Sequence, residues 1–352
     1  MFDLLYNIVW FFTRSFLFLF PPEFAHNFTF FIIRNLFKLP LIKNIEKSRY
    51  CISNKKLERN VFGLNFSNPV GLAAGFDKNA KLINDLDVFG FSFIEIGTVT
   101  PKTQYGNKKP RLFRLSKDKA LINRMGFNND GLDKIVCRLK NKKTNVIIGG
   151  NIGKNKITPL EKSVEDYEKC FNDLFKYVDY FVLNVSSPNT PQLRELQRKD
   201  KLEILISSIQ SINNTKSSPK PILIKISPDL DFSDVDEVIT LIKKYNVAGI
   251  VATNSTNKRD GLKTNSNKVK NIGLGGLTGA PIRDMSTNMI KYIYQKSSGS
   301  IPIIAVGGIM SPEDAIEKIE AGASLIQLYT GFIYEGPLLV KRINKAILEK
   351  YN

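Results

Sequence analysis

Residues 303–331 read IIAVGGIMSPEDAIEKIEAGASLIQLYTG and contain two short apolar runs on either side of a helical stretch. The runs 303–306 and 325–328 are almost continuous in apolar residues, as in parallel strands that are covered on both faces. Ser311, followed by proline, is a suitable first residue for a helix over 312–321. A polar or glycine-rich loop, VGGI or YTG, follows each run. The stretch therefore predicts a strand–helix–strand unit.

The same pattern recurs through the preceding 230 or so residues, in units of the size that α/β barrels use. Six further candidate strands lie at 70–74, 93–97, 146–150, 180–185, 222–226 and 249–253. Helical stretches lie between or after the strands, for example at 80–89, 130–140, 163–177, 234–245 and 337–350. Eight β/α repeats predict an α/β fold, a (β/α)8 TIM barrel. A doubly wound sheet is the alternative, and it is weakened because no strand precedes a dinucleotide-binding GxGxxG pattern.

Polar loops follow all eight predicted strands. The other six are AAGFDKN, GTVTPKT, GNIGKN, NVSSPNT, KISPD and ATNST. Because the carboxyl ends of barrel strands meet at one mouth, these loops predict an active site there. They supply amides, hydroxyls and two lysines, Lys78 and Lys225, but no histidine, carboxylate pair or metal cluster. That set suits a planar, polar, anionic ligand.

A phosphorylated cofactor is indicated by the last two loops. Gly307-Gly308 and Thr330-Gly331 can present backbone N–H groups to a phosphate. The missing dinucleotide pattern favours a mononucleotide such as FMN, and Lys225 would then stabilise the negative charge that hydride uptake creates. Ser187 lies in NVSSPNT, but a lone serine hydroxyl is a poor base. From spacing alone, this Ser-Ser-Pro is better explained as a turn.

The first 50 residues differ from the rest and hold eleven of the 24 phenylalanines. The apolar run 8–20 is too short to span a bilayer and contains Arg14. Pro21 and Pro22 break it, and a second amphipathic pattern follows. Basic residues flank both, namely Arg14, Arg34, Lys38, Lys43, Lys47 and Arg49. This pattern predicts an amphipathic two-helix domain over 1–45, lying on a membrane surface, before a barrel over 46–352. A hairpin packed on its own domain or on a second subunit is the alternative, and a signal peptide is disfavoured because no cleavage site follows.

The composition limits the remaining classes. With 43% hydrophobic and 24% charged residues, a disordered or collagen-like chain is excluded. The three cysteines lack metal or disulfide spacing, and the single histidine excludes most His-based triads and metal sites. A net charge of +18 could serve a nucleic acid, but the lysines are spread along the chain among asparagines and are better explained as solvated surface.

Ten motifs, taken in order, resemble dihydroorotate dehydrogenases of class 2, the membrane-associated, quinone-dependent branch. They are AAGFDKN, IEIGTVTPK, PRLFRL, NRMGFNN, NIGKN, NVSSPNTPQLR, ATNST, GGLTG, VGGI and ASLIQLYTGFIYEGP. The resemblance implies an FMN barrel that oxidises (S)-dihydroorotate to orotate in pyrimidine synthesis and reduces ubiquinone or menaquinone. Serine at 187, where class 1 enzymes carry cysteine, together with the apolar N-terminus, favours class 2.

The resemblance also implies site residues. Ser187 would be the base for the C5 proton while a hydride passes to the flavin. Substrate would contact Lys78, Asn123, Arg124, Met125, Gly126, Phe127, Asn184, Asn189, Asn254 and Ser255. FMN would lie against Ala73, Ala74, Gly75, Phe76, Asp77, Thr98, Asn151, Asn184, Lys225, Thr253, Gly279, Gly308, Tyr329 and Thr330. His26, Arg114 and Tyr329 would line a quinone tunnel, and no metal is expected.

Two other functions stay open at this point. A flavin barrel that reduces tRNA, similar to dihydrouridine synthases, would need a cysteine in the mouth, and none is predicted there. A membrane-bound barrel without activity would have eroded motifs, whereas these are intact. The expected location is the cytoplasmic face of a bacterial inner membrane. A mitochondrial membrane is less favoured because no Arg/Ser-rich segment precedes the hairpin.

Overall fold

The computed structural model describes residues 2–190 and 192–351, with side chains from Tyr6 onward. Pro191 of the NVSSPNTPQLR motif, and Met1 and Asn352 of the two predicted domains, lie outside the described residues. The helices are α1 (Phe2–Phe18), α2 (Pro22–Leu36), α3 (Pro40–Tyr50), α4 (Leu132–Leu139), α5 (Ser163–Leu174), α6 (Lys199–Asn214), α7 (Phe232–Lys244), α8 (Ser266–Ile272), α9 (Arg283–Ser297), α10 (Pro312–Glu320), α11 (Thr330–Glu335) and α12 (Leu338–Lys350). The strands are β1 (Arg59–Val61), β2 (Leu64–Phe66), β3 (Val70–Leu72), β4 (Phe93–Val99), β5 (Leu112–Leu115), β6 (Ala120–Asn123), β7 (Ile147–Ile152), β8 (Tyr180–Asn184), β9 (Ile222–Ile226), β10 (Gly249–Ala252), β11 (Gly276–Gly279), β12 (Ile303–Val306) and β13 (Leu325–Leu328).

Eight parallel strands close into a barrel in the order β3-β4-β7-β8-β9-β10-β12-β13. The ring closes where Ile326 pairs with Val70. All eight strands predicted from the apolar runs are present, and each end agrees within two residues, so the TIM-barrel prediction is confirmed. The predicted start of α10 is confirmed as well, because Ser311 Oγ accepts the N–H of Asp314 at 3.2 Å with proline at the first helical position.

The barrel interior changes from apolar to polar in one step along four strands. Since side chains two residues apart point to the same face, each interior position can be followed by alternation. The change runs from Phe93 to Glu95 in β4, Val182 to Asn184 in β8, Leu223 to Lys225 in β9 and Leu325 to Gln327 in β13. All four polar residues are buried. The apolar layer fills the amino-terminal end, and the polar layer forms a floor beneath the mouth.

The amino-terminal end of the barrel is closed by the β1–β2 hairpin. Phe66 of this hairpin packs edge to face on Phe93, with ring centres 5.2 Å apart. Two glycines allow such large rings inside the barrel. A Cβ on Gly71 would come within 2.3 Å of the Phe93 ring, and a Cβ on Gly149 within 2.2 Å of the Tyr180 ring. The closed end leaves the carboxyl-terminal mouth as the site for ligands.

The prediction of a helix over 80–89 is wrong. Residues 80–85 form turns, and only a single 3-10 turn, Leu86–Phe89, follows. Ala80 has a φ of 54°, which a continuing helix does not allow. The buried Asp77 carboxylate instead accepts the N–H groups of Lys81 and Leu82 and holds this segment as a loop.

The predicted N-terminal helix pair is present as α1 and α2, but the predicted domain boundary at residue 45 falls inside a third helix, α3. The pair is joined to the barrel by polar contacts. Arg111 donates from Nη2 to Glu23 at 2.8 Å, and Trp10 Nε1 donates to the carbonyl of Tyr334 at 3.0 Å. Within residues 2–190 and 192–351, no helix is both long enough and apolar enough to cross a membrane.

A three-stranded antiparallel sheet, β11-β6-β5, lies outside the barrel ring and was not predicted. Its strands come from the loops of two different barrel units. The pairing of Asn123 with Gly276 and with Leu112 brings β6 between its two neighbours. The sheet therefore adds residues from 112–123 and 276–279 to the mouth.

Candidate active site

A cavity of about 1000 Å³, counted together with the part open to solvent, occupies the mouth of the barrel. Residues from the ends of the strands and from the three-stranded sheet line it. The predicted site residues on its lining are Ala73, Ala74, Gly75, Lys78, Thr98, Asn123, Met125, Gly126, Phe127, Asn184, Ser187, Asn189, Lys225, Thr253, Asn254, Ser255, Gly279, Gly308, Tyr329 and Thr330. Twenty residues that are distant in sequence thus share one cavity.

A chain of hydrogen bonds holds the amides of this cavity in place. Asn184 Nδ2 donates to Thr98 Oγ1 at 2.8 Å, and Thr98 Oγ1 donates to Asn151 Oδ1 at 2.6 Å. On the opposite side, Asn189 Nδ2 donates to Asn123 Oδ1 at 3.1 Å. Amides that are fixed in this way present donors and acceptors in set directions, as recognition of a flat polar ring requires.

Ser187 is buried at the edge of the cavity, and its Oγ accepts the N–H of Asn189 at 3.3 Å. No side-chain base within hydrogen-bonding distance of Oγ is found in the described part of the chain. Arg194 braces the loop from behind, donating to the carbonyls of Ser186 at 3.2 Å and Ser255 at 3.1 Å. The loop is therefore fixed, while the serine hydroxyl stays available to a ligand.

Lys78 lines the same cavity, and its ammonium group loses its proton more readily than that of an ordinary lysine. Burial, and then the positive charge of Arg111, lower the pKa of Lys78 to about 7, while the charge of Glu23 acts in the opposite direction. Its Nζ donates to Asn128 Oδ1 at 2.5 Å. An anion bound beside Lys78 would favour the charged ammonium and raise this pKa again.

Four predicted contact residues lie outside the lining. Arg124 donates to the carbonyls of Ile272 and Leu274, with its guanidinium 4.5 Å from the Phe113 ring centre. Phe76 faces the N-terminal helices, Asp77 holds the loop described above, and Asn151 lies beneath Thr98. These side chains support the site from behind rather than from its surface.

The sequence analysis missed several residues of the mouth. Glu95 and Gln327 form part of its floor, and Thr278 contributes from the unpredicted sheet. Glu95 and Gln327 had a signal in the sequence, since each is a single polar residue inside an apolar strand, in FIEIG and LIQL. Thr278 lies in the GGLTG motif beside the predicted Gly279, but no strand was predicted there.

A second cavity, of about 740 Å³ together with the part open to solvent, lies between α1, α2 and the barrel. Its lining is largely apolar and consists of Trp10, Arg14, Leu17, Phe18, Pro22, Ala25, His26, Thr29, Phe30, Phe76, Leu112, Arg114, Leu121, Tyr329, Phe332 and Ile333. We call it the tunnel. Tyr329 lines both the tunnel and the mouth, so its side chain borders the two spaces.

Few of the side chains that line the tunnel are polar. Burial, and then the charge of Lys78, lower the pKa of His26 to about 4, so the imidazole is neutral at pH 7. Arg114 Nη1 donates to the carbonyl of Phe20 at 2.7 Å, and its guanidinium lies 4.4 Å from the Phe18 ring centre. All three residues predicted for a quinone tunnel therefore lie on this one lining.

The mouth meets the requirements of a flavin. Buried Gln327 Oε1 has no hydrogen-bond partner among the described residues, and Lys225 Nζ lies 3.7 Å from Glu95 Oε1, beyond hydrogen-bonding distance, although both residues line the cavity. Groups left unpaired in this way indicate a polar ligand that completes them. Gly308, in the loop predicted to hold a phosphate, has a φ of 77°, and a Cβ there would come within 2.3 Å of Arg283 Cα. No cysteine lies on the cavity lining, since Cys51 and Cys137 are outside it and Cys170 is buried in α5.

Fold and site together define a (β/α)8-barrel oxidoreductase with an appended apolar tunnel. The chain matches the family model described as dihydroorotate dehydrogenase over residues 56–351. The chain belongs to the dihydroorotate dehydrogenase family, and membership implies a flavin cofactor.

Individual relatives cover nearly the whole chain. A dihydroorotate dehydrogenase (quinone) of Christiangramia forsetii is 56% identical over 338 residues, which are 96% of this chain and 98% of the relative. One from Nostoc punctiforme is 51% identical over 340 residues, covering 94% and 89%. The crystal structure of DHODH from Eimeria tenella in complex with ferulenol has a TM-score of 0.83 at 35% identity, covering 94% of this chain and 91% of that one.

Proposed function

We propose that this chain oxidises dihydroorotate to orotate with FMN and passes the electrons to ubiquinone or menaquinone, as a step of pyrimidine synthesis. The observation that carries the proposal is the contact of two unlike cavities at Tyr329. The mouth is polar and suits an anionic ring, whereas the tunnel is apolar and suits a quinone. The names of the relatives agree with this pairing.

Dihydroorotate carries a carboxylate and a ring of alternating carbonyl and N–H groups. The fixed amides of Asn123, Asn184, Asn189 and Asn254 offer both donors and acceptors to such a ring. Lys78 supplies the charge for the carboxylate, and Phe127 and Met125 cover the ring with apolar surface. The site would therefore bind this substrate by edge recognition and by charge.

Ser187 would take the proton from the substrate carbon, and FMN, when bound in the mouth, would supply the hydride acceptor. A serine hydroxyl accepts a proton only if its own proton leaves at the same time. No side-chain acceptor is bonded to Oγ in the described part of the chain, so a water molecule receives that proton. The rigid loop around Ser187 keeps the hydroxyl in line with the substrate carbon, which supplies the proximity component of catalysis.

The FMN phosphate is assigned to the backbone of the loops after β12 and β13, around Gly307-Gly308 and Thr330-Gly331. Positive-φ glycines there bring the backbone close to the ligand. Thr98, Asn184 and Lys225 are assigned to the ring system from the floor of the mouth. FMN is preferred over a dinucleotide because no strand of the barrel precedes a dinucleotide-binding GxGxxG pattern.

In the tunnel, His26 donates a hydrogen bond to a quinone carbonyl. Its imidazole is neutral, so it acts as a donor without bringing a charge into an apolar space. Burial lowers the pKa of Arg114, which is still a cation and polarises the quinone from the other side. The apolar remainder of the lining packs against the quinone ring and tail.

The exposed face of α1 and α2 is assigned to a lipid surface. It carries large apolar side chains in the open, among them Phe11, Phe12, Phe16 and Leu19, and exposed Arg34 and Lys38 follow them. An apolar face with a basic border is typical of helices that lie in a membrane interface. The bacterial sources of the relatives support the cytoplasmic face of an inner membrane as the location.

The function is tested by anaerobic titration of the FMN-loaded protein. Dihydroorotate should bleach the flavin absorbance, and a quinone added next should restore it. Fumarate, added instead, should leave the flavin reduced. A protein that binds no FMN, or that is reoxidised by fumarate but not by quinone, would contradict the proposal.

A further inference from the structure

A buried charge pair lies beneath the mouth, and no function has been assigned to its acidic member. Glu95 in β4 is fully buried inside the barrel. Its Oε1 accepts from Asn151 Nδ2 at 2.8 Å, and its Oε2 accepts from Gln327 Nε2 at 2.6 Å. A buried carboxylate is costly unless it is paired and hydrogen-bonded, so this arrangement is retained for a reason other than packing.

The basic member is Lys225 in β9, whose Nζ lies 3.7 Å from Glu95 Oε1. That distance allows strong charge attraction but exceeds a hydrogen bond. No other acceptor for Nζ is found among residues 2–190 and 192–351, and Lys225 lines the mouth cavity. The N–H groups of the ammonium are therefore free for a ligand in the cavity, while the carboxylate balances its charge from below.

We propose that Glu95 is a positioning residue that keeps Lys225 in its charged form in the oxidised protein, so that a cation is already in place when the flavin is reduced. This inference rests on the proposed function, since it requires FMN in the mouth. Two-electron reduction leaves a negative charge on a flavin, and that charge is stabilised by a nearby cation. An amine buried without a carboxylate loses its proton, and the cation would then be absent at the start.

The two cases differ in the number of protons taken up. With Lys225 already charged, reduction by two electrons consumes one proton, which stays on the flavin. With Lys225 neutral, the same two electrons consume two protons, one on the flavin and one on Lys225 Nζ. The slope of the midpoint potential against pH is proportional to protons per electron, so it doubles in the second case.

Few other groups can contribute to that slope. In the same polar layer, burial raises the pKa of Tyr180 well above its usual range, which keeps the phenol protonated. Asn151 and Gln327, the hydrogen-bond partners of Glu95, do not titrate. Lys78 at the rim titrates near neutral pH but is present in every variant, so its contribution cancels in the comparison.

The test is a redox titration of the FMN-loaded full chain, without substrate, using a chemical reductant and mediator dyes between pH 7 and pH 9. The wild type should show the slope for one proton per two electrons. Glu95→Gln should show twice that slope, with a lower midpoint potential at pH 9. Glu95→Asp keeps the carboxylate and should retain the wild-type slope.

The outcomes separate the inference from the proposed function. If Glu95→Gln leaves the slope and the midpoint potential unchanged, Glu95 has only a packing role, and the inference is overturned. If Glu95→Gln does not retain FMN, the slope is measured in Lys78→Arg, whose guanidinium stays charged and so takes up no proton there. Two protons per two electrons in that variant would show that Lys225 is not charged beforehand and would overturn the inference. Failure of the wild type to bind FMN would instead contradict the proposed function.

Discussion

The mouth of the barrel buries polar side chains, whereas the outer face of α1 and α2 exposes apolar side chains. In the mouth, polar groups are buried, and most are held by other groups of the chain, as Asn184 is by Thr98. On the two helices and just after α1, apolar groups are exposed and no residue that the structure describes covers them, as at Phe12 and Leu19. Exposed apolar patches of this kind mark surfaces that bind something else.

The groups of the mouth are mostly bonded within the chain, whereas the exposed helix face needs a partner from outside the chain. The mouth is built by the ends of eight strands, so its geometry follows from the fold and awaits a small ligand. The helix pair exposes an apolar face, and the partner that we propose for this face is a lipid surface. Changes in the mouth should therefore act on the reaction with dihydroorotate, and changes in the helices on the reaction with quinone.

The largest effect is expected from Ser187→Ala. Removing the hydroxyl should slow flavin reduction by dihydroorotate by roughly 10²–10⁴-fold, the usual contribution of a positioned acid or base. FMN binding and reoxidation by quinone should change little, because Ser187 lies away from the tunnel. Stopped-flow absorbance of the flavin measures both half-reactions.

Ser186→Ala is the matched control. Its hydroxyl accepts from Asn254 Nδ2 at 3.0 Å and does not line the cavity. We expect a much smaller fall in the rate of flavin reduction. Equal losses in the two variants would show that the loop, and not the Ser187 hydroxyl, is responsible.

The next largest effect should separate the tunnel from the mouth. Ala25 is buried in α2 and lines the tunnel, so Ala25→Trp fills part of that space. Overpacking of this kind costs about 1–3 kcal/mol for the bound state, which predicts roughly a tenfold or greater fall in turnover with quinone. The rate of flavin reduction by dihydroorotate should stay within twofold of the wild type.

Phe28→Trp, on the exposed face of the same helix, controls for the added ring. It should leave both half-reactions unchanged. If Ala25→Trp slows the two half-reactions equally, the tunnel does not serve the quinone alone, and the division of the molecule at Tyr329 is wrong.

Most of the mouth could be predicted from the sequence because its residues follow apolar strands directly. The strand ends define the order of the loops around the barrel, so loops such as NVSSPNT and ATNST were brought together by fold alone. Individual polar residues inside strands, such as Glu95 and Gln327, carried the same information but were passed over in favour of the loops.

The parts that could not be predicted depend on contacts distant in sequence. The β11-β6-β5 sheet pairs segments more than 150 residues apart, such as Asn123 with Gly276, and neither segment alternates clearly. The helix expected over 80–89 had suitable composition, but Asp77 holds the loop by bonds to Lys81 and Leu82. Helix propensity is a weak guide where a buried carboxylate binds the backbone.

A moderate, pH-dependent effect is expected at Lys78. Its pKa of about 7 means that the ammonium is present below pH 7 and is lost above it. Binding the anionic product orotate requires the charged form, so the Kd should be constant below about pH 6 and rise towards tenfold per pH unit above pH 7. Calorimetry at pH 8 in buffers of different ionisation enthalpy should show that binding takes up a proton.

Lys78→Arg provides the comparison, since its guanidinium stays charged throughout this range. Its affinity for orotate is expected to be lower because of its size, but independent of pH between 6 and 8. A wild-type Kd that does not change with pH would remove Lys78 as the titrating group at the mouth.

The smallest effect on turnover, yet a clear one on location, is expected from Phe12→Ser combined with Leu19→Ser. These side chains are 65% and 80% exposed on and just after α1, and neither lines the tunnel. Burying such a side chain contributes about 1.5–3 kcal/mol, so losing two should lower partition onto anionic lipid vesicles by at least tenfold. Turnover with a short-chain, water-soluble quinone should change less than twofold, because that quinone does not need the membrane.

Leu274→Ser, at a position 90% exposed on the barrel, is the matched control and should leave vesicle binding unchanged. If Leu274→Ser weakens binding as much as the helix variant does, the lipid contact extends over the barrel, and the apolar face of α1 is not what places the tunnel opening at the membrane.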